Sequence, residues 1–119
     1  MEKYLSGQNT NNPGTSVVNA TLTTPSGVKT QAYFNLNLNN TGTTELRVLI
    51  TDSDQTDTSP STSIYTATTG SPAVANSVSP LVMKFTNTSS QVRYRLTNSD
   101  ANMTVTINTQ GWRDLRGKE

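Results

Sequence analysis

Residues 28–38 read Val-Lys-Thr-Gln-Ala-Tyr-Phe-Asn-Leu-Asn-Leu. In an extended chain Val28, Thr30, Ala32, Phe34, Leu36 and Leu38 fall on one side. Lys29, Gln31, Tyr33, Asn35 and Asn37 fall on the other. A period of two with its apolar members on one side marks a strand with one buried and one wet face. Such a strand needs a second apolar layer to lie against, so the stretch sets an all-β class.

The same alternation recurs along the chain. Val18, Ala20 and Leu22 precede the turn Pro25-Ser26-Gly27, and Asn39-Asn40-Thr41-Gly42 forms the next turn. Leu46, Val48 and Ile50 make an inward set, with Glu45 and Arg47 outside. Residues 52–62 read as a long acidic, hydroxyl-rich loop, and Ile64, Thr66 and Thr68 as a short strand. Pro72 and Pro80 bracket Val74 and Val78, the pattern of an edge strand or extended connection. Leu81, Met83 and Phe85, then Val92, Tyr94 and Leu96, then Met103, Val105 and Ile107 supply three more inward sets. No helical period of useful length occurs. The expected architecture is a single antiparallel β-sandwich, immunoglobulin-like or jelly-roll, of seven or eight short strands. Residues 16–112 form that domain, residues 1–15 a flexible N-terminal arm and residues 113–119 a charged C-terminal tail.

Composition sets limits on function. Leu, Ile, Val and Phe make up only about 19% of the 119 residues, but the net charge is +1, so the chain lacks the charge that goes with disorder. Ser, Thr and Asn make up about 40%; Thr suits a pleated half-exposed surface, Ser and Asn the turns between. With no histidine and no cysteine there is no imidazole base, thiolate or disulfide. The expectation is a non-enzymatic protein without cofactor. No apolar run approaches the roughly 18 residues of a membrane span, and the first residues lack the apolar segment of a signal peptide.

Binding chemistries remain. Asp52, Asp54 and Asp57 offer three carboxylates in six residues for Ca²⁺, but the sequence lacks the glycine and terminal glutamate of an EF-hand, and a solvated loop is the plainer account. Arg93 and Arg95 share the outward face of their strand; with so small a net charge, nucleic acid is disfavoured as their partner. Tyr33, Tyr65 and Trp112 are candidate platforms for a sugar ring beside Asn and Arg. Edge strands with unpaired backbone groups, together with the two terminal segments, favour self-association or docking. The candidate contact residues are Tyr4, Leu5, Tyr33, Arg93, Arg95, Trp112, Arg113 and Arg116.

Residues 81–113, LVMKFTNTSSQVRYRLTNSDANMTVTINTQGWR, contain a YRLTN strand, a short polar loop and a TVTIN strand running into a glycine–aromatic end. This third of the chain resembles the last hairpins of small, cysteine-free β-sandwich proteins of tailed-phage particles, of the head decoration or cement type. The resemblance implies a virion protein made in the host cytoplasm. Its implied partners are the major capsid protein or other virion subunits, with a homo-oligomer, by preference a trimer, as the working form. The alternative is a carbohydrate-binding or host-attachment module.

Overall fold

The computed structural model describes residues 7–52, 54–69, 76–78 and 80–114, with backbone alone at 7, 8 and 76–78. Nine strands lie among them: β1 (Gly7–Asn11), β2 (Val18–Thr21), β3 (Thr30–Asn40), β4 (Arg47–Thr51), β5 (Ala67–Thr68), β6 (Asn76–Val78), β7 (Leu81–Phe85), β8 (Gln91–Leu96) and β9 (Met103–Asp114). The opening stretch is β3, and its burial alternates residue by residue as the sequence reading requires.

Two antiparallel sheets result. In the first the order is β1-β9-β3-β6, with β7 also on β3; in the second it is β2-β8-β4-β5. β6 and β7 occupy the same side of β3 in one continuous register, Asn40 opposite Asn76, Leu38 opposite Val78, Asn35 opposite Leu81 and Gln31 opposite Phe85. The Leu36 N–H donates to the Pro80 carbonyl between them at 3.0 Å. They are therefore one edge strand interrupted at Pro80, which accepts from Leu36 but has no N–H to return to β3. Counted so, eight strands pair as a nest: β1 with β9, β2 with β8, β3 with β7, β4 with β5. A long hairpin rolled up in this way, alternating between two sheets, is a jelly roll.

The core lies between the sheets. Phe34, Leu36, Leu38, Val105 and Ile107 from the first meet Val48, Ile50, Val92, Tyr94 and Leu96 from the second, all buried. Asn40 is fully buried too, but its amide donates to the Thr44 carbonyl at 2.6 Å and its carbonyl accepts from the Gly42 N–H at 3.0 Å, so its own turn satisfies it. Ser90 adopts a left-handed φ of 63°. Its hydroxyl donates to the carbonyls of Thr24 (2.9 Å) and Pro25 (3.2 Å), tying two loops at one end of the sandwich and holding the residue in that conformation.

Four features depart from the sequence reading. Gly7–Asn11, assigned to a flexible arm, is instead an edge strand along β9. β9 runs on to Asp114, into the segment assigned to the tail. In the short strand after the acidic loop the buried residue is Ala67, and Ile64 is exposed. Leu81, Met83 and Phe85, counted as an inward set, face outward, and Val82 is buried in their place. The cause is a lock at the end of β7. Thr86 is buried, its hydroxyl 3.1 Å from that of Thr30, and its N–H donates to the Thr30 carbonyl at 2.8 Å. With Thr86 held inward, strict alternation turns Phe85, Met83 and Leu81 out.

Two substitutions at neighbouring positions test this parity. Val82→Asp should cost about 3 kcal/mol or more in urea unfolding, since it buries an unpaired carboxylate, whereas Met83→Asp should stay within about 0.5 kcal/mol of the parent. Burial also raises the Tyr94 hydroxyl above its ordinary value; Thr10, short of full hydrogen-bond geometry, opposes the shift in part. The native state holds that proton more tightly than the unfolded chain. The stability it contributes is whole below about pH 10 and is lost as pH climbs through the native value. In Tyr94→Phe, alkaline denaturation curves should lose this component.

Candidate interaction site

β3 sets the rows of the outer face of the first sheet. Residues directly opposite one another point to the same side, so Met83, Tyr33 and Gly111 share one row. Phe85, Gln31 and Arg113 share the next. On the other side lie rows of amides and hydroxyls: Asn35 with Asn108, Asn37 with Thr106 and Asn9, Asn39 with Thr104 and Asn11. The face is thus divided into a polar lattice and an apolar ridge. The ridge is exposed, Leu81 at 66%, Met83 at 53% and Phe85 at 42%. Tyr33 beside it is half-buried, and its hydroxyl donates to Gln31 Oε1 at 3.3 Å.

The ridge coincides with a sheet edge. Pro80 and Thr86 bond to β3 through Leu36 and Thr30. By antiparallel alternation Val82 and Lys84 do likewise, and the N–H and C=O groups of Leu81, Met83 and Phe85 point away from β3. Among the described residues no strand pairs with that side of β7. One of its donors is taken: the Phe85 N–H donates to Asp52 Oδ1 at 2.8 Å.

Asp52 opens the long loop between β4 and β5, and this loop accounts for both strand arginines. The Arg93 guanidinium donates to the carbonyls of Asp52, at 3.2 Å, and of Gln55. Arg95 pairs with Asp57 Oδ2 at 2.9 Å and donates to the Thr15 carbonyl at 3.2 Å. Both project from the outer face of the second sheet, as the alternation requires, but the protein's own loop is laid across them. The three carboxylates considered for Ca²⁺ diverge: Asp52 caps Phe85, Asp54 pairs with Lys29, and Asp57 with Arg95. Among the described residues no group of three acidic or other metal-ligating side chains is placed to hold an ion. A shallow depression of about 340 Å³ lies under the loop, lined by Leu49, Thr51, Gln55, Thr58, Ile64 and Lys84. Among the described residues Lys84 is the one charged residue that lines it.

The aromatic candidates are dispersed. Arg47, itself bonded to Glu45 at 2.8 Å, stacks 5.7 Å from the Tyr65 ring centre on the second sheet. Trp112 stands opposite Ala32 on the core side, at the margin of the sandwich and 41% exposed. A bulge in β9 puts it there: Phe34 faces Thr109 but Tyr33 faces Gly111, so Gln110 is an extra residue that reverses the parity of all that follow. Arg113 is exposed on the outer face beside Gln31. Tyr4, Leu5 and Arg116 lie outside the described residues.

The residues that the sequence reading missed are thus Leu81, Met83 and Phe85 as a surface. Pro80 and Thr86 at the ends of the segment are the signals that bear on it, one marking an edge and the other fixing parity. No family model, no curated protein and no solved structure matches the chain.

Replacing Asp52 by Ala should release the Phe85 donor. A carboxylate acceptor is worth about 1.5–3 kcal/mol, so Phe85 amide exchange should quicken by about tenfold or more in hydrogen-exchange NMR, with exchange at Val82 unchanged.

Proposed function

We propose that this protein is a non-enzymatic structural subunit of a virus particle, a capsid decoration or cement subunit that adds to the particle through sheet-edge contacts. The carrying observation is the exposed Leu81–Met83–Phe85 ridge running along an edge with which no strand pairs among the described residues. Monomeric proteins usually blunt such an edge with charge or cover it. Here the strand keeps large apolar side chains beside free backbone groups, a combination suited to a neighbour. The jelly roll recurs in viral capsid proteins, which supports the reading at the level of fold analogy alone. Many weak contacts of this kind, repeated over a closed shell, add up to a large stabilisation.

A carbohydrate-binding or host-attachment module is the second reading. It is favoured by Tyr33 standing beside the amide rows of the same face, with Gly111 opposite it offering no side chain. Aromatic ring and amides are the pairing that sugar sites use.

The test adds purified protein to particles of the encoding genome assembled without it. Saturable co-sedimentation and a higher temperature of genome release are expected, with both reduced about tenfold or more in the double variant Leu81→Ser/Met83→Ser. Absence of binding, together with reproducible signals on a glycan array, would move the assignment to the second reading.

A further inference from the structure

We propose that β1 exchanges between two copies, each laying its own β1 along the β9 of the other through a hinge at Asn12–Gly14. This rests on the assembly reading and deepens it, naming how copies are joined at the edge of the first sheet opposite β7. The backbone of the hinge carries the inference. Asn12 has a left-handed φ of 53° and stands immediately before Pro13. A proline ring pushes the residue before it toward extended conformations, and a side chain of any kind disfavours positive φ. Asn12 is thus strained twice over, in the turn that leads the chain from β1 back toward β2. Gly14, at φ 92°, completes that turn.

Few bonds hold the turn closed. The Asn12 N–H donates to the Met103 carbonyl at 2.9 Å. The Ser99 hydroxyl donates to Asn12 Oδ1 at 2.6 Å and accepts from the Gly14 N–H at 2.8 Å. Past the hinge the chain is tied to its own sandwich, where Arg95 donates to the Thr15 carbonyl at 3.2 Å. The pivot is therefore short. Ahead of it, side-chain burial does little to keep β1 at home. Among the described residues none from β1 belongs to the apolar core; Thr10 is half-buried, Asn9 and Asn11 are exposed. What holds the strand is its ladder, from Gly7 opposite Asn108 to Asn11 opposite Thr104. Every bond of that ladder can be remade on a second copy, whose β9 offers the same sequence in the same register. The ladder being equal in both arrangements, the hinge tips the balance between them. Extending Asn12 into the region that Pro13 favours releases its strain and swings β1 off its own β9. Short hinges under strain invite this kind of exchange, and a reciprocal exchange closes on itself at two copies, in contrast to the trimer that the family resemblance implies. So short a pivot requires the two copies to abut, which suits neighbours held side by side on a particle.

Asn9 stands opposite Thr106 in the ladder. Counted from the Asn12–Met103 bond they are a non-hydrogen-bonded pair, with Cα atoms about 4.5 Å apart and within reach of a disulfide. The chain has no cysteine of its own. Asn9→Cys and Thr106→Cys proteins, made separately, are mixed at millimolar concentration, equilibrated, diluted and oxidised. A disulfide-linked heterodimer should form from the mixture and from neither protein alone, because only exchange sets the two positions opposite one another across copies. Pro13→Ala frees Asn12 from the ring and should lower the yield about tenfold; Asn12→Val puts a β-branched residue at positive φ and should raise it. Circular dichroism should stay that of the parent throughout, since both arrangements contain the same strands. No linked heterodimer at millimolar concentration, an equal yield of linked dimer from either protein alone, or a yield indifferent to both hinge substitutions would overturn the exchange. Copies that bind particles through the ridge without exchanging overturn only the exchange; linked dimers that bind no particle overturn only the virion reading.

Discussion

β3 is hydrogen-bonded on both sides along its length, to β9 on one side and to the broken β6–β7 strand on the other. Because side chains alternate with a period of two, a strand held on both sides dictates which residues of each neighbour reach the core. On the β7 side the decision rests on the buried hydroxyls of Thr30 and Thr86. On the β9 side it is kept by direct pairing up to Thr109 and reversed by Gln110. The apolar ridge, the outward Gly111 and the inward Trp112 all descend from these two local facts.

Much of this is legible in the amino-acid sequence. Strands whose apolar residues occupy a single parity declare themselves: β3, β8 with Val92, Tyr94 and Leu96, and the body of β9 with Met103, Val105 and Ile107 are buried as expected. β7 could not be read so. Leu81, Val82, Met83 and Phe85 put apolar groups on both parities, and the tie is broken by the contact of Thr86 with Thr30, 56 positions apart. Lys84 shares the parity of the buried Val82, since a long aliphatic stem can lie along a margin while its charge stays wet. Arg93 and Arg95 were placed on the correct face, but the loop that engages them makes its contacts through carbonyls and an aspartate 38 or 41 positions distant, which no local pattern encodes. The first strand is Asn-rich and nearly without apolar anchors; its order comes from the ladder with β9 rather than from its own composition.

The described sheet margins are treated unequally, and the contrast gives the ridge its meaning. β1 offers amide side chains, β5 is two residues long, and β2 is four residues long with polar residues outward. Each is a poor template for another chain. β7 alone combines length, apolar side chains and free backbone groups. Asp52 shortens it by one donor, and the same loop screens the two arginines of the opposite sheet, so a single connection leaves one surface open and closes another.

The nested order of strands also bears on how the chain acquires its structure. Asn11 bonds to Thr104 across 93 positions, and every pairing outside the innermost hairpins joins distant segments. Chains dominated by such remote contacts fold slowly, since loop closure must be met before the contacts that reward it exist. The outermost pair can be made only after translation has delivered the last strand. Until then β3 stands with one flank unzipped, and the nascent polypeptide carries its hydrophobic interior uncovered during the interval when a ribosome still holds the other end.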